Sequence, residues 1–443
     1  MALITVKYNL PFNYNLKHSE MNKILFFLFC FATSFFINDA KAQLVQPDST
    51  ITYVNGEGTF IRLGKGEGTL INLLTTLQSG AQFGRLDSLS KKTNNSRMSI
   101  NLARIAVTAT NARHRVSAGL VTDFTGTSPI LEGWIGFDLN KRVKLVLGQK
   151  QTHTNNRLAM ADERYAQTMA QSLAGKSNDG ILYGGLMHNF VGATREGGLF
   201  LETNFSINTV RIYPSLSITT GEGQNFFTSQ TNSGFKYGGR LDIMPLGDFK
   251  KNNAYIAHDI YREAKPKLAI GVAASYNQKA SSPMGSETGL ITGIFDNTGA
   301  AALADYRKLV ADFTFKTKGF ALIGEYVVTT ITGKDLFTNV AATSQFTPEV
   351  ASAYYNLGSA YNIQSSYVFK SGWAVDGRYA VIKPEFEVTG SKISDQKWAT
   401  FGVNKFLKNN ALRIGINTNY IEMNSPTAKT TKWINNFAVQ ILL

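Results

Sequence analysis

From Thr69 to the last residue the chain repeats one pattern: runs of roughly ten residues in which apolar side chains alternate with polar or small ones. In 210–219, Val210, Ile212, Pro214, Leu216 and Ile218 share one parity; Arg211, Tyr213, Ser215, Ser217 and Thr219 share the other. Segment 235–244 sets Phe235, Tyr237, Leu241 and Ile243 against Lys236, Gly238, Arg240 and Asp242. Segment 373–382 sets Trp373, Val375, Tyr379 and Val381 against Asp376, Arg378 and Ala380, and 412–420 sets Leu412, Ile414, Ile416 and Tyr420 against Arg413, Gly415, Asn417 and Asn419. A period of two turns successive side chains to opposite faces of a sheet, so each run is a strand with one apolar and one polar face. The pattern recurs near 69–79, 97–109, 114–124, 131–139, 142–150, 181–190, 198–207, 267–277, 306–317, 319–330, 358–370, 396–405 and 434–443. That makes seventeen segments, 69–79 the weakest. A barrel whose two ends lie on one side needs an even number, so about sixteen strands are expected. Helical periodicity is rare, its best case being 155–174, rich in Ala, Met, Gln and Leu.

Composition narrows the architecture. Charged residues make up 17% of the chain and aromatics 12%, with 39 glycines and a mean hydropathy of −0.11. Beyond the N-terminus no apolar run reaches the ~18 residues of a spanning helix. A soluble sandwich of this length would divide into domains joined by linkers, and none is visible. A solenoid would show a fixed period, yet the one local repeat is Gly56-Glu57-Gly58-Thr59 recurring as Gly66-Glu67-Gly68-Thr69. A closed transmembrane antiparallel barrel accounts for more. Aromatics sit near segment ends (Tyr276, Trp373, Tyr420, Trp433, Phe437), and turns such as 139–142 and 408–410 are short while 151–180, 278–305 and 331–357 are long. The chain also closes on an alternating strand carrying Phe437, Val439, Ile441 and Leu443.

The N-terminal region reads as an address. Lys23 precedes the apolar stretch Ile24–Ile37, and Ala40-Lys41-Ala42 places small residues where a signal peptidase requires them, so cleavage is expected between Ala42 and Gln43. Phe29 is too large for the position before a lipidated Cys30. The expected organisation is an upstream stretch 1–20 with translation starting at Met21, a signal peptide 21–42, a Gly-rich periplasmic lead-in 43–68 with one small hairpin, and a barrel 69–443. Loss of the leader takes Lys7, Lys17, Lys23, Lys41, Glu20 and Asp39, lowers the net charge from +14 to +12, and removes the chain's one cysteine. Disulfides and Cys-ligated metals are then excluded, and the scattered His114, His153, His188 and His258 match no metal spacing, so no cofactor is expected.

Four stretches carry a family resemblance: 134–150 (WIGFDLNKRVKLVLGQK), 237–249 (YGGRLDIMPLGDF), 261–276 (YREAKPKLAIGVAASY) and the tail 398–443. In order, they resemble the phosphate-selective porin O and P family of Gram-negative outer membranes. The resemblance implies a sixteen-stranded barrel, a homotrimer in outer-membrane lipid, and passive passage of small anions or other polar solutes. A segment ending Leu145-Val146-Leu147-Gly148-Gln149 before a long loop is similar to the family's strand preceding its constricting loop. The family's Arg and Lys ladder is not matched residue by residue.

Lipid-facing Lys or Arg costs roughly 2–4 kcal/mol at mid-bilayer, so strand charges belong in the lumen. Parity places Arg115, Lys144, Lys150, Arg211, Lys236, Arg240, Lys267, Lys308, Arg378 and Arg413 there, against Asp123, Asp138, Glu202, Asp242, Asp312, Glu325 and Asp376. This basic excess predicts anion preference. The same residues also suit cross-strand ion pairs, Arg240 with Asp242 and Asp376 with Arg378 for example. His153, Arg157 and Arg164 follow Lys150 in a stretch long enough to fold inward as a constriction or to stand outward as a solvated loop. The dispersed basic residues form no nucleic-acid patch. Gly64-Lys65-Gly66-Glu67-Gly68 lacks the ending of a phosphate loop, and no G-x-S-x-G occurs, so no enzyme is expected. The alternatives are a non-conducting structural or adhesion barrel, favoured by a filled bore, and a barrel-embedded hydrolase.

Overall fold

The structure is a computed structural model. It describes residues 49–64, 68–88, 92–125, 130–160, 195–224, 234–284, 291–408 and 410–443. The leader with its Ala42–Gln43 junction, the segment 181–190 and Arg164 lie outside the described residues.

A short hairpin comes first, β1 (Thr50–Val54) and β2 (Gly58–Leu63). The barrel follows as β3 (Thr69–Ser88), β4 (Lys92–Asn111), β5 (Val116–Asp123), β6 (Ile130–Asn140), β7 (Val143–Gln151), β8 (Arg195–Thr203), β9 (Phe205–Ile207), β10 (Val210–Thr219) and β11 (Lys236–Met244). It continues through β12 (Lys267–Asn277), β13 (Asp305–Thr317), β14 (Phe320–Thr332), β15 (Gly358–Val368), β16 (Trp373–Pro384), β17 (Asp395–Leu407), β18 (Leu412–Ser425) and β19 (Ala428–Leu442). Since β8 and β9 both pair with β10 and are broken only at Asn204, they form one strand, and the barrel has sixteen.

Each strand pairs antiparallel with the next, and β19 returns to β3 from Leu442↔Thr76 to Thr430↔Ser88. Thr75 and Leu443 exchange backbone hydrogen bonds of 2.8 and 2.9 Å in both directions, so the last residue is tied to the first barrel strand. The weakest sequence segment, 69–79, therefore begins the 20-residue strand that closes the cylinder. Its alternation is blurred because its inward parity also carries apolar side chains, Leu74 packing in a buried cluster with Ala106, Val121, Leu131 and Leu442; β2 occupies the same edge of β3 from Thr59↔Leu73 to Leu63↔Thr69, beyond the end of β19. Closure matters because an open edge in hydrocarbon strands unpaired N–H and C=O groups.

The two faces separate as the alternation demands. Along β15, Ala360, Asn362, Gln364 and Ser366 are buried, and Tyr361, Ile363 and Tyr367 are exposed. On the outer face Phe137, Phe205, Tyr367 and Trp373 mark one rim, and Tyr237, Tyr420 and Trp433 lie toward the other; the Tyr420 and Trp433 rings are 4.9 Å apart. The long connections 152–194, 278–304 and 333–357 leave from a single rim. The loops after β12 and β14 share a small core containing Ile294, Leu336, Ala351 and Tyr355. The opposite rim has short turns, 141–142, 208–209 and 318–319 among them, with one exception: 245–266.

If the outer face meets acyl chains, Val272, 48% exposed in the middle of β12, tolerates a cation poorly. Val272→Arg should cost about 2–4 kcal/mol in urea titrations of vesicle-inserted protein. An unchanged midpoint would mean that this face does not contact lipid.

Candidate pore and inward segments

Two connections fold into the barrel from opposite rims. The first is Thr152–Met160, which follows β7 and ends in the 3₁₀ turn Arg157–Met160. Thr152 and Thr154 through Ala159 are buried. Its polar groups are held by β11, β13 and β14. Lys308 Nζ donates to Asn155 Oδ1 at 2.8 Å, and Arg240 Nη1 to the Asn155 carbonyl at 3.0 Å. Glu325 Oε1 accepts from Asn156 Nδ2 at 2.6 Å and from the Leu158 amide at 3.1 Å. Arg157 Nε pairs with Asp312 Oδ1 at 2.9 Å, and its Nη2 contacts Asp242. Arg240 binds the same carboxylates, Asp242 at 2.6 Å and Asp312 at 2.8 Å. Burial works against the charge on Arg157, but Asp312 and then Asp242 outweigh it, and its pKa lies above the ordinary arginine value. Gly271 makes room: a Cβ there would stand 2.0 Å from Arg240 Nη2 and 2.6 Å from Asp242 Oδ1.

The second inward segment is the exceptional 245–266, with a 3₁₀ turn at Lys250–Tyr255. Ala254 and Ile256 to Asp259 are at most 1% exposed. Lys316 of β13 organises it, donating to the carbonyls of Asn253 (2.5 Å), Ile256 (2.6 Å) and His258 (2.9 Å). Asp259 accepts from Asn253 Nδ2 at 2.7 Å and from the Gly319 amide at 2.7 Å. His258 Nε2 lies 3.0 Å from Asp376 Oδ2 of β16, and its ring meets Phe406 edge-on at 5.3 Å. The two segments touch: the Arg157 guanidinium lies 5.3 Å from the centre of the Tyr255 ring, and Leu158, Ala257 and Ile323 form one apolar cluster.

The wall from β15 through β19 to β3 is different. Here amides and hydroxyls join side to side. Gln78 Nε2 donates to Gln440 Oε1 (3.0 Å), Gln82 Nε2 to Asn436 Oδ1 (3.1 Å), Asn436 Nδ2 to Asn417 Oδ1 (2.9 Å) and Thr400 Oγ1 to Asn419 Oδ1 (2.8 Å). Within this arc stand Arg378 and Arg413, which form no salt bridge among the described residues. Arg413 Nη2 donates to Gln440 Oε1 at 2.7 Å and Arg378 Nη2 to Thr400 Oγ1 at 3.4 Å.

The sequence-derived candidates thus divide. Arg157 and Arg240 share one buried ion-pair cluster. Lys150 and His153 converge on Glu202, His153 Nε2 at 3.0 Å. Lys144 lies 5.0 Å from the Trp134 ring centre. Arg211 is at the short-turn rim, bonded to Asp248 at 3.0 Å, away from mid-lumen. Arg378 and Arg413 are the pair that stands apart on the amide arc.

The expected basic excess is not found in the interior. Among the described residues, nine buried Lys and Arg face nine buried Asp and Glu. Parity overcounted because Arg115 is an exposed turn residue and Lys267 a rim residue whose Nζ donates to the Leu246 carbonyl. Sequence reasoning missed Lys316, Gln364 and the segment 245–266. The available signal was the polar run Lys250-Lys251-Asn252-Asn253, followed by His258, Asp259 and Glu263, where neighbouring turns are short. Among the described residues no group of His, Cys, Asp and Glu is placed to hold a metal ion.

No protein-family model and no curated protein sequence matches the chain. Solved structures do. Pseudomonas putida OprB is similar with a TM-score of 0.51 and 11% identity, over 84% of this chain and 94% of that one. The anion-selective porin from Comamonas acidovorans (TM-score 0.49, 10% identity, 85% and 100% covered) and the outer-membrane channel DcaP of Acinetobacter baumannii (0.49, 10%, 86% and 99%) are also similar. The shared fold and the apolar outer face define the class: a closed sixteen-stranded antiparallel barrel whose exterior suits lipid.

Arg157→Ala leaves Asp242 and Asp312 with Arg240 alone. The loss should be about 3–5 kcal/mol in chemical unfolding, as for other broken buried pairs. A loss below about 1 kcal/mol, the range of exposed pairs, would show that this cluster does not hold the first segment.

Proposed function

We propose that the protein is an outer-membrane porin through which small polar solutes diffuse passively, with a modest anion preference set at Arg378 and Arg413. One observation carries this: the interior is divided. Around β11–β14 the charges are consumed in anchoring the two inward segments. Among the described residues, the buried charges along β15–β19 and β3 are two guanidiniums against one carboxylate, Asp376, set among amides and hydroxyls. Amide and hydroxyl groups solvate a passing solute without holding it, as a conducting path requires. The local charge excess of one favours anions only weakly. It gives no support to phosphate selectivity, which the family resemblance had suggested. Export through the leader 21–42, with cleavage after Ala42, and homotrimeric assembly belong to the same proposal and rest on the sequence.

A second reading has its own observation. Two inward segments meeting inside one barrel are what a plugged, non-conducting structural barrel would need. Planar bilayers separate the two. The porin should give discrete steps in KCl with a reversal potential on the anion side. Arg378→Gln combined with Arg413→Gln should move that potential toward cations. An unmoved potential would contradict the assignment of the two arginines, and a silent wild-type protein would favour the plugged barrel.

A further inference from the structure

On the outer face of β17, β18, β19, β3 and β4 two grooves lie end to end. The lower one, about 350 Å³, runs between Phe83, Phe401, Ile416 and Phe437 and reaches Asn435. The upper one, about 310 Å³, lies among Arg85, Asn94, Ser96 and Trp433. Phe83 and Asn435 line both, so the two are continuous. Strand register fixes their order. Phe401, Thr418, Asn435, Phe83 and Ser96 form one row across five strands, and Val403, Ile416, Phe437, Ala81 and Met98 form the row toward mid-wall. Toward the rim of the long connections, Trp433, Arg85 and Asn94 form the next row, and Asp87 and Lys92 the one after. Neighbouring strands lie about 4.8 Å apart and successive rows about 7 Å apart. Arg85 and Lys92 are on adjacent strands and one row apart, so one phosphate is within reach of both flexible side chains.

The chemistry along these rows is graded. The lower groove is apolar, with Phe83, Phe401 and Ile416 each more than half exposed. Asn435 interrupts the apolar parity that Phe437, Val439 and Ile441 continue, and its exposed amide has no partner among the described residues. The exposed side chains of Asn94 and Ser96 are likewise unpartnered there. Polar groups beside acyl chains are costly unless other polar atoms meet them. Trp433 marks the level where indole rings sit among lipid headgroups. Arg85 Nε bonds to Asp87 at 3.2 Å, and Lys92 forms no ion pair among the described residues. The upper groove therefore carries two cations against one carboxylate. Because Asp87 is held at Nε, the terminal nitrogens of the Arg85 guanidinium stay available.

We infer that this double groove binds one anionic, phosphate-bearing lipid from the leaflet on the long-loop side. An acyl chain lies in the lower groove against Phe83, Phe401, Ile416 and Phe437. The ester carbonyls accept from the amides of Asn435 and Asn94 and from the Ser96 hydroxyl. The phosphate accepts from the terminal nitrogens of Arg85 and from Lys92, charge-assisted bonds of the kind guanidinium and phosphate favour. A zwitterionic headgroup brings its own cation against Arg85 and Lys92 and fits less well. Free phosphate reaches only the upper groove and loses everything the lower one contributes. The inference goes beyond the porin reading. It needs the outer face to meet lipid and is indifferent to whether the bore conducts.

The test uses refolded full-length protein in detergent, titrated with phosphatidylglycerol or phosphatidylcholine of identical acyl chains, with native mass spectrometry counting the lipid retained. One phosphatidylglycerol should stay bound per chain at concentrations where phosphatidylcholine does not. Arg85→Gln and Lys92→Gln should each weaken phosphatidylglycerol about fivefold, the worth of one cation at a lipid surface, and leave phosphatidylcholine unchanged. Lys383→Gln removes the same charge at the same rim on β16 and should change nothing. Phe83→Ala should weaken both lipids, and heat-modifiable migration on gels checks that each variant folds. Equal retention of the two lipids, or an equal loss with Lys383→Gln, overturns the inference. Displacement of the lipid by glycerol phosphate would make this a site for free phosphate and overturns it too. So does disulfide cross-linking of two copies through Asn435→Cys, in a Cys30→Ser background, with no lipid retained, since a second copy would then cover the face. Conducting channels that retain no phosphatidylglycerol would remove the site and leave the pore; silent bilayers with phosphatidylglycerol retained would remove the pore and leave the site.

Discussion

Closure of the cylinder depends on a pairing made between the two ends of the chain. Gln78 of β3 donates to Gln440 of β19 across 362 positions of sequence. The backbone ladder around that contact supplies the last row of hydrogen bonds. In water a sheet can leave an edge solvated. In hydrocarbon it cannot, and every other strand is secure only once β3 and β19 have met. Leu443, tied to Thr75, stands at the end of that seam.

Closure determines what the interior can hold. Once apolar side chains of one parity face lipid, charges on the other parity are committed to a narrow space. Low dielectric there makes an unpaired charge expensive and a well-made pair durable. The chain uses this in two ways. On one side, Arg157, Arg240, Asp242 and Asp312 form a cluster that draws the segment after β7 inward, while Lys316 and Asp259 do the same for the segment after β11. On the other side, neutral amides such as Asn417, Asn436 and Gln440 carry the wall, so that Arg378 and Arg413 keep donors free. Balanced buried charges and two guanidiniums outside every described salt bridge thus coexist in one interior.

The architecture was legible because period-two alternation is a local property. Leu412, Ile414 and Ile416 against Arg413, Gly415 and Asn417 announce a strand with two unlike faces, whatever lies elsewhere. Repeating that observation yields seventeen segments, which the even number of a closed barrel brings to sixteen, and their spacing shows the single rim of long loops. The weak first strand was harder, because Leu70 and Leu74 share a parity with Asn72, Thr76 and Gln78, so neither face of its opening stretch is purely polar. The interior was legible only in part. Parity correctly turned Arg240, Arg378 and Arg413 inward but could not say which would be neutralised. That depends on Asp312 and Asp242 meeting Arg157, a residue from a loop that sequence order places 155 and 85 positions away. Segment 245–266 carried no periodic signal at all. Its inward fold comes from carbonyls collected by one lysine, Lys316, and a sequence does not display carbonyls.

The central claim is that adjacent residues of one strand face two different media. Cysteine labelling reads this directly, since Cys30 is the one native cysteine and can be replaced by serine. In vesicle-inserted protein carrying Ile416→Cys or Asn417→Cys, a small water-soluble, membrane-impermeant thiol reagent should modify position 417, on the amide arc, and spare position 416, on the lipid face. Modification of 416 with protection of 417, or equal modification of both, would contradict a closed barrel with a wet polar arc inside.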